Sequence, residues 1–409
     1  RRAAKIALAP PTGPVFLSLP GDVLDDDKDI VLGRSNRVDA SNRPADTTIK
    51  ALADRLLVSQ QPVIICGHEV SSRRALAPAA DLAKLIGAAV YQDTIPTAAP
   101  FVSTHDCYLG ALTRNQQDVS QRLKEYDLLI CLGTDVLRMS TPSDTPPLPQ
   151  GMPIVQISER SEDLAKNYPT EIAIQANVRE TLAALNDAIR ARCTPDQAED
   201  ASRRVEALRA SNWSFQRDAL VTSLEARTGR VIEPDVLSLR IVQLLPKDTI
   251  LVDEGLTSSQ AVTRLFAYQD AWSYYGLASG GIGFAVAGAI GIRLAVPNRP
   301  LVALIGDGSA MYNIQALWTA APLRLPIVYV IANNGGYRIL KQRIRKRYGL
   351  EHPVGMDLSA PPIDFAALAT SMGVRSQRVT EPDEIAPALR TALAHEGPTL
   401  LDVIVNSPN

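Results

Sequence analysis

Short apolar runs alternate along the chain with longer stretches in which apolar residues recur at helical spacing. The short runs predict β-strands at residues 15–19, 62–66, 88–91, 128–132, 154–157, 172–174, 249–252, 301–305, 327–332 and 399–405. The stretches between them, such as residues 71–86 and 236–245, predict amphipathic helices. Strands that alternate with helices predict an α/β fold, with doubly wound parallel sheets in successive domains.

One strand–helix–strand unit, at residues 301–337, contains the most informative polar residues. Its first strand ends in the sequence GDGS (306–309), and its second ends in NNGGY (333–337), with a predicted helix at 310–321 between them. A unit of this length predicts a crossover between parallel neighbouring strands. Both polar turns then lie at the carboxyl ends of adjacent strands, where open α/β sheets bind their ligands.

These two turns offer the groups that hold a Mg²⁺-bound diphosphate. Asp307 supplies a charged oxygen and Asn334 a neutral one, and the two together suit Mg²⁺. Gly308 lets a phosphate approach the backbone, and the helix N-terminus that follows favours anions. The alternative is an ordinary turn in which Asp and Asn are turn formers. A GDG turn alone would favour that alternative, whereas two such turns one crossover apart favour the diphosphate site.

Other polar turns carry weaker signals. The turn DEGLTS (253–258) has hydroxyl and N–H groups that could hold phosphate, although they could equally cap a helix. The glycine run SGGIG (279–283) is a weak indication of a close approach between backbone and ligand. In the central part of the chain, CGHE (66–69) and LGTD (132–135) could cradle a nucleotide, but we expect them to be plain turns.

The chain divides into segments of different composition. Residues 43–191 and 231–409 have the α/β pattern and are predicted to be a central and a C-terminal domain, joined by a charged connecting helix within 192–230. Residues 25–42 are polar and without period, as in a linker. Residues 1–24 contain too few elements to bury their own apolar faces, so we interpret them as the tail of a preceding domain.

Composition argues against several classes of protein. With 409 residues and 46% hydrophobic content, the chain is long enough for two or three domains. The net charge is −2 and no run of about 18 apolar residues occurs, so we expect neither nucleic-acid binding nor a membrane span. The four cysteines and four histidines form no zinc or disulfide spacing, which predicts a reducing, cytoplasmic location.

GDG followed some two dozen residues later by NN resembles the thiamine diphosphate signature. The longer stretch at residues 274–340 is similar to the thiamine diphosphate-dependent 2-oxoacid decarboxylase and acetolactate synthase group. Within it, ALWTAA (316–321) and NNGGY resemble the benzoylformate decarboxylase branch. The resemblance implies thiamine diphosphate and Mg²⁺ as cofactors, a small-molecule 2-oxoacid as substrate, and a homodimer or homotetramer.

The resemblance also implies roles for individual residues. The implied Mg²⁺ ligands are Asp307, Asn334 and the Gly336 carbonyl. The Gly280 carbonyl would accept a hydrogen bond from the 4′-amino group of the cofactor, and Ile282 would wedge between its two rings, although a simple core role for Ile282 is the alternative. The residues implied to contact the cofactor are Leu256, Thr257, Gly280, Ile282, Gly308, Ser309 and Tyr337.

The sequence departs from the family pattern in three places. In the family an activating glutamate lies on a pyrimidine-binding domain, which we expect upstream of Arg1, so that these 409 residues alone would be inactive. Ser140 stands where benzoylformate decarboxylase has a catalytic histidine. The segment after Tyr337 lacks the aromatic residues of that branch. Arg343 in this segment could pair with an acidic substrate, but we expect it to be solvated.

The residues and the resemblance together leave four candidate functions. The leading one is a thiamine diphosphate- and Mg²⁺-dependent decarboxylase or carboligase acting on a 2-oxoacid. An acetolactate synthase-like transferase and a non-catalytic cofactor-binding homologue are the alternatives within the resemblance. An unrelated α/β nucleotide-binding protein is disfavoured, because the chain has neither a Walker lysine nor a GxGxxG fingerprint.

Overall fold

The computed structural model describes residues 1–31, 33, 38–139, 143–278, 280–351 and 353–406. Within these residues, two six-stranded sheets form, and every strand pair in them is parallel. The first sheet has the order β3-β2-β1-β4-β5-β6 and consists of β1 Pro62–Cys66, β2 Ala89–Gln92, β3 Tyr108–Ala111, β4 Leu128–Leu132, β5 Ile154–Ser158 and β6 Ile172–Gln175. The second has the order β11-β12-β10-β9-β7-β8 and consists of β7 Ile250–Glu254, β8 Tyr274–Gly276, β9 Leu301–Gly306, β10 Val328–Asn333, β11 Arg375–Val379 and β12 Thr399–Ile404.

Helices precede, connect and cover the two sheets. In the first half of the chain they are α1 Arg2–Leu8, α2 Gly21–Leu24, α3 Asp46–Leu57, α4 His68–Ser72, α5 Leu76–Leu85, α6 Gln116–Leu123, α7 Val178–Arg192, α8 Pro195–Arg209 and α9 Trp213–Glu225. In the second half they are α10 Pro234–Leu244, α11 Val262–Leu265, α12 Phe284–Ala295, α13 Asp307–Ala310, α14 Ala316–Ala320, α15 Arg338–Tyr348, α16 Phe365–Ser371 and α17 Pro382–Leu393.

Each sheet is covered on both faces, as the continuous apolar strands predict. Successive side chains of a strand point to opposite faces, so Ile64 of β1 joins the core under α3, α5 and α7, while Ile65 joins the core on the other face. In the second sheet, Leu304 of β9 packs on the side of α10 and α17, and Ile305 packs on the side of α12 and α14. The prediction of doubly wound parallel sheets is confirmed.

The register of β9 and β10 places the two polar turns side by side. Ile305 pairs with Ile331, and Gly306 pairs with Ala332 in a parallel ladder. Both strands therefore end at the same edge of the sheet, one with GDGS and the other with NNGGY. The predicted crossover is confirmed, although its helical part is two short helices, α13 and α14, rather than one continuous helix.

Several elements differ from the hydrophobic pattern. The predicted strand at residues 15–19 does not form, since this stretch has no strand partner in the described chain. The predicted connecting helix is divided into α8 and α9, and Asn212 caps the second of them. The hydrophobic pattern does not predict strand β11, because its sequence RSQRV is mostly exposed and polar at the edge of the sheet.

Each sheet and the helices that cover it are called a unit below. One segment of the first unit adds to the edge of the second sheet. Ala98 forms an antiparallel bridge with Tyr275 of β8, and the Gly276 amide donates a hydrogen bond of 3.0 Å to the Thr97 carbonyl. Nearby, Ser103 and Tyr268 exchange two hydrogen bonds. The two units are therefore joined by backbone pairing as well as by chain connection. No helix of the described residues is long and apolar enough to cross a membrane.

Candidate active site

A cavity of about 600 Å³ lies at the carboxyl ends of β7, β9 and β10. Its wall includes loops from both units of the chain. All the predicted site residues line it, although they come from separate segments: Leu256, Thr257, Gly280, Ile282, Asp307, Gly308, Ser309, Asn334, Gly336 and Tyr337. The topology thus brings the whole predicted set to one place, while the role of each residue stays a prediction.

Asp307 connects the two polar turns at the floor of this cavity. It follows β9 directly as the first residue of α13, and its side chain is buried. The Gly308 amide donates to its Oδ1 at 2.8 Å, and the Gly336 amide donates to its Oδ2 at 3.0 Å. Burial raises the pKa of Asp307, and these backbone hydrogen bonds oppose that rise because they stabilise the carboxylate.

Two further oxygen atoms are placed beside Asp307. The Asn334 side-chain nitrogen donates to Ser258 Oγ at 3.4 Å, so the amide oxygen is the atom left for a cation. The Gly336 carbonyl accepts one hydrogen bond from the Arg338 amide and keeps a second lone pair. A carboxylate, an amide oxygen and a backbone carbonyl are hard oxygen ligands, so this donor set fits Mg²⁺. Among the described residues, no group of three or more His, Cys, Asp or Glu is placed to hold a metal.

Close packing explains why glycine precedes Ser309. A Cβ atom on Gly308 would lie 2.5 Å from Cε1 of the Tyr337 ring, a distance that real contacts do not allow. The absence of a side chain therefore lets Tyr337 pack directly over the GDG turn. This turn opens α13 with a bare backbone at the cavity wall, which is the surface that a phosphate group needs.

Backbone strain occurs in the turn after β7. Leu256 has φ of +50°, in the left-handed region that side chains other than glycine rarely adopt. The residues Leu256–Ser258 form a single 3₁₀ turn that faces the cavity. Strained residues concentrate at ligand sites because the surrounding structure holds them there for binding.

Glu254 has a structural role near the site that the sequence patterns do not predict. Its carboxylate accepts hydrogen bonds from the Gly283 amide and, at 2.6 Å, from the Ala285 amide, so it caps α12 from the end of β7. Burial raises the pKa of Glu254, with the backbone hydrogen bonds opposing the rise. The sequence does offer a signal, because α12 begins at a glycine that has no side chain to cap the helix itself.

The glycine turn before α12 has a fixed conformation. Gly280 and Gly283 have φ of +79° and +101°, both in the left-handed region. The Asn313 side chain donates to the Gly283 carbonyl at 2.7 Å and holds the turn from the other side. Ile282 between these glycines is partly exposed and lines the cavity. Its position allows contact with a ligand, as the wedge hypothesis requires.

The turns of the central unit line a second, smaller cavity of about 300 Å³. Their acidic groups are engaged inside the protein. Glu69 accepts from Ser158 Oγ at 2.8 Å and from the Glu159 amide at 2.9 Å, and Asp93 accepts from Thr134 Oγ1 at 2.7 Å. These bonds join the ends of strands that lie two positions apart in the sheet, β1 with β5 and β2 with β4.

Two arginines and two aliphatic residues occupy the segment after Tyr337, for which the resemblance implied aromatic residues. Arg338, Ile339, Leu340 and Arg343 of α15 line the larger cavity. Arg343 is exposed, as expected, but it lies at the cavity wall rather than on a remote surface. Ser140, which the resemblance placed at the position of a family histidine, lies outside the described residues.

Comparisons with known families agree with this geometry. Residues 49–185 match the family described as "Thiamine pyrophosphate enzyme, central domain", and residues 256–403 match "Thiamine pyrophosphate enzyme, C-terminal TPP binding domain". The two matched domains and the fold are those of thiamine pyrophosphate enzymes. The chain belongs to this family, which includes benzoylformate decarboxylases and acetolactate synthases.

Individual relatives match different lengths of the chain. A benzoylformate decarboxylase of Pseudomonas aeruginosa is 30% identical over 98% of this chain and 72% of its own length. A putative acetolactate synthase large subunit of Mycobacterium tuberculosis is 41% identical, over 40% of this chain and 33% of its own length. The solved structure of a thiamine diphosphate-dependent 4-hydroxybenzoylformate decarboxylase of Rhodococcus jostii superposes with a TM-score of 0.82 at 29% identity, covering 100% of this chain and 73% of that one.

Proposed function

We propose that the protein is a thiamine diphosphate- and Mg²⁺-dependent lyase, a decarboxylase or carboligase that acts on a 2-oxoacid. The observation that supports this most is the convergence of the predicted site residues on one cavity at the strand ends. Four separate turns contribute to it, after β7, before α12, after β9 and after β10. The benzoylformate decarboxylase relatives support the same reaction class.

In this proposal, Asp307, Asn334 and the Gly336 carbonyl hold Mg²⁺, and the bare backbone around Gly308 receives the diphosphate. The Gly280 carbonyl would accept a hydrogen bond from the cofactor, and Ile282 would pack against its rings. When bound, thiamine diphosphate supplies an electron sink for the bond that decarboxylation breaks. The apolar side chains of Ile282 and Leu340 in the cavity wall exclude water from the reacting atoms. We also propose a homodimer or homotetramer, in keeping with the sequence-based expectation.

Calorimetric titration with thiamine diphosphate, in the presence and absence of Mg²⁺, tests the proposed cofactor site. We expect Mg²⁺-dependent binding to the protein and its loss in both Asp307→Ala and Asn334→Ala, because each variant removes one of two side-chain ligands. Asp383→Ala, on the exposed first turn of α17, is the control and should bind normally. Unchanged affinity in either ligand variant would refute the metal assignment.

An acetolactate synthase-like transferase is the second candidate. The 41% identity to a putative acetolactate synthase large subunit over part of the chain favours it. Product analysis with pyruvate as the sole substrate separates the two reactions, since acetaldehyde indicates a decarboxylase and acetolactate a synthase. Cofactor binding without turnover of any 2-oxoacid would instead indicate a non-catalytic homologue.

A further inference from the structure

Arginines are concentrated in the wall of the proposed active-site cavity. Its lining contains four of them, Arg114, Arg138, Arg338 and Arg343, and its sole acidic lining residue within the described chain is Asp307. Asp307 faces the proposed Mg²⁺ site and accepts hydrogen bonds from two backbone amides. The rest of the cavity wall is therefore strongly cationic.

Two of these arginines have acidic neighbours. Arg138 Nε donates to Asp135 Oδ2 at 3.0 Å, which neutralises this guanidinium locally. Partial burial lowers the pKa of Arg338, and the charge of Asp235 opposes that change. These two side chains are held in place by contacts within the protein.

Arg114 and Arg343 differ from that pair. Across the described ranges of the chain, neither forms an ion pair with a carboxylate, while their neighbours on α15, Lys341 and Arg345, are paired with Asp357 and Glu351. Partial burial lowers the pKa of Arg114, and repulsion from the Arg343 charge lowers it further. Both side chains line the same cavity, so the two positive charges face a common space.

This approach of like charges is produced by two distant parts of the chain. Arg114 lies in the loop between β3 and α6 of the first unit, and Arg343 lies on α15 of the second. Placing two cations together at a cavity wall is unfavourable for the folded protein unless an anion is bound between them. Two guanidinium groups from different directions match the two oxygens of a carboxylate.

We propose that Arg114 and Arg343 bind a second carboxylate of the substrate, so that the preferred substrate is a 2-oxoacid with a carboxylate at its far end. This inference rests on the proposed function and defines the substrate class for the same site. Ile339 and Leu340, which line the cavity beside Arg343, provide an apolar surface for the methylene groups between the two ends of such a molecule.

The test compares two substrates of equal chain length with the full-length protein loaded with thiamine diphosphate and Mg²⁺. 2-Oxoglutarate carries the second carboxylate, and 2-oxopentanoate replaces it with a methyl group. We expect kcat/KM to favour 2-oxoglutarate by about 100-fold, since a site built for a charged group rejects an analogue that lacks it.

Single variants assign this preference to the two arginines. Arg114→Gln and Arg343→Gln should each raise the KM for 2-oxoglutarate by about 10-fold and leave turnover of 2-oxopentanoate unchanged. Arg343→Lys should retain part of the preference, because it keeps the charge but not the planar donor geometry. Lys346→Gln removes a positive charge from the same helix outside the cavity and should have no effect.

Each contrary result has a separate meaning. Equal or faster turnover of 2-oxopentanoate by the parent protein would overturn the substrate class while leaving the proposed function intact. Loss of thiamine diphosphate affinity in the arginine variants, measured by calorimetry, would show that these side chains serve the cofactor and would also overturn the inference. Cofactor binding with no turnover of any 2-oxoacid would refute the proposed function and the inference with it.

Discussion

At the scale of single residues, the site depends on side chains and glycines that fix backbone turns rather than on a cluster of acids and bases. Asp307 accepts hydrogen bonds from backbone amides of both polar turns, and Glu254 accepts hydrogen bonds from backbone amides at the start of α12. Each carboxylate therefore holds in place a turn that contributes to the cavity. Substitutions at these turns are expected to act on geometry before they act on chemistry.

Substitution of Ile282 tests whether a change in the turn before α12 affects the geometry of the bound cofactor. The Ile282 side chain stands in the cavity wall between two glycines of left-handed conformation. Ile282→Ala in the full-length enzyme should lower kcat by about 10-fold and change thiamine diphosphate affinity less, because the wedge acts on cofactor conformation rather than on diphosphate binding. Steady-state kinetics and calorimetry check this together, and equal losses in both would mean that Ile282 only packs.

Substitution of Gly283 tests whether the turn before α12 requires its left-handed backbone conformation. Its φ of +101° disfavours any side chain, and a Cβ atom there would lie 2.6 Å from Cβ of Tyr312. Gly283→Ala should destabilise the protein by about 1–3 kcal/mol, seen as a lower melting temperature. The matched control is Gly291→Ala on the exposed face of the same helix, where nothing lies within 4 Å. That change should stabilise by about 1 kcal/mol, so a loss of stability in both variants would contradict this role of Gly283.

At the scale of elements, polar groups at strand ends hold neighbouring strands in register. Asp127, immediately before β4, accepts hydrogen bonds from Ser59 Oγ and from the amides of Gln60 and Gln61 ahead of β1. Partial burial would raise the pKa of Asp127, but these three donors outweigh it and lower the pKa below its usual 3.8. The carboxylate therefore joins two adjacent strands at their amino ends.

The stabilisation from Asp127 should depend on pH. A carboxyl group whose pKa is lowered by folding stabilises the protein above its usual pKa and loses this effect as the pH falls through the folded value. Asp127→Asn should therefore cost about 1 kcal/mol at pH 7, a modest value because the group is exposed to solvent. Melting temperatures between pH 7 and pH 3 should show the difference from the parent shrinking. A constant difference would contradict this, and Glu125→Gln is the neighbouring control.

Strands in the middle of the sheets were predictable from the sequence, whereas of the edge strands only β6 was predicted, and β3, β8 and β11 were not. Strands β9 and β10 are buried on both faces, so their sequences are continuously apolar. Strand β8 has three residues, and β11 has a polar sequence with most of its residues exposed, so neither gives a clear hydrophobic signal. The helix expected after Asp307 is interrupted by turns at residues 311–315, where the Asn313 side chain donates to the Gly283 carbonyl.

At the scale of the whole molecule, the candidate site could be predicted only in part. The residues around GDG and NN share one supersecondary unit, so sequence spacing alone brings them together. Arg114 lies in the other unit, and its approach to Arg343 depends on how the two units dock. The contact between Glu254 and Gly283 lies within the second unit, but it joins residues 29 positions apart in the chain. Sequence patterns describe local periodicity, and such long-range contacts are outside their reach.

The pairing of Ala98 with Tyr275 has a consequence for how this protein can be divided. Strand β8 is the last strand of its sheet, and the segment around Thr97 covers its outer edge. A C-terminal unit produced without the central unit would carry an open strand edge, which is a template for pairing with other copies. The C-terminal unit is therefore not an independent module. If the chain were divided between the two sheets, we expect the C-terminal part to self-associate rather than to form a free cofactor-binding domain.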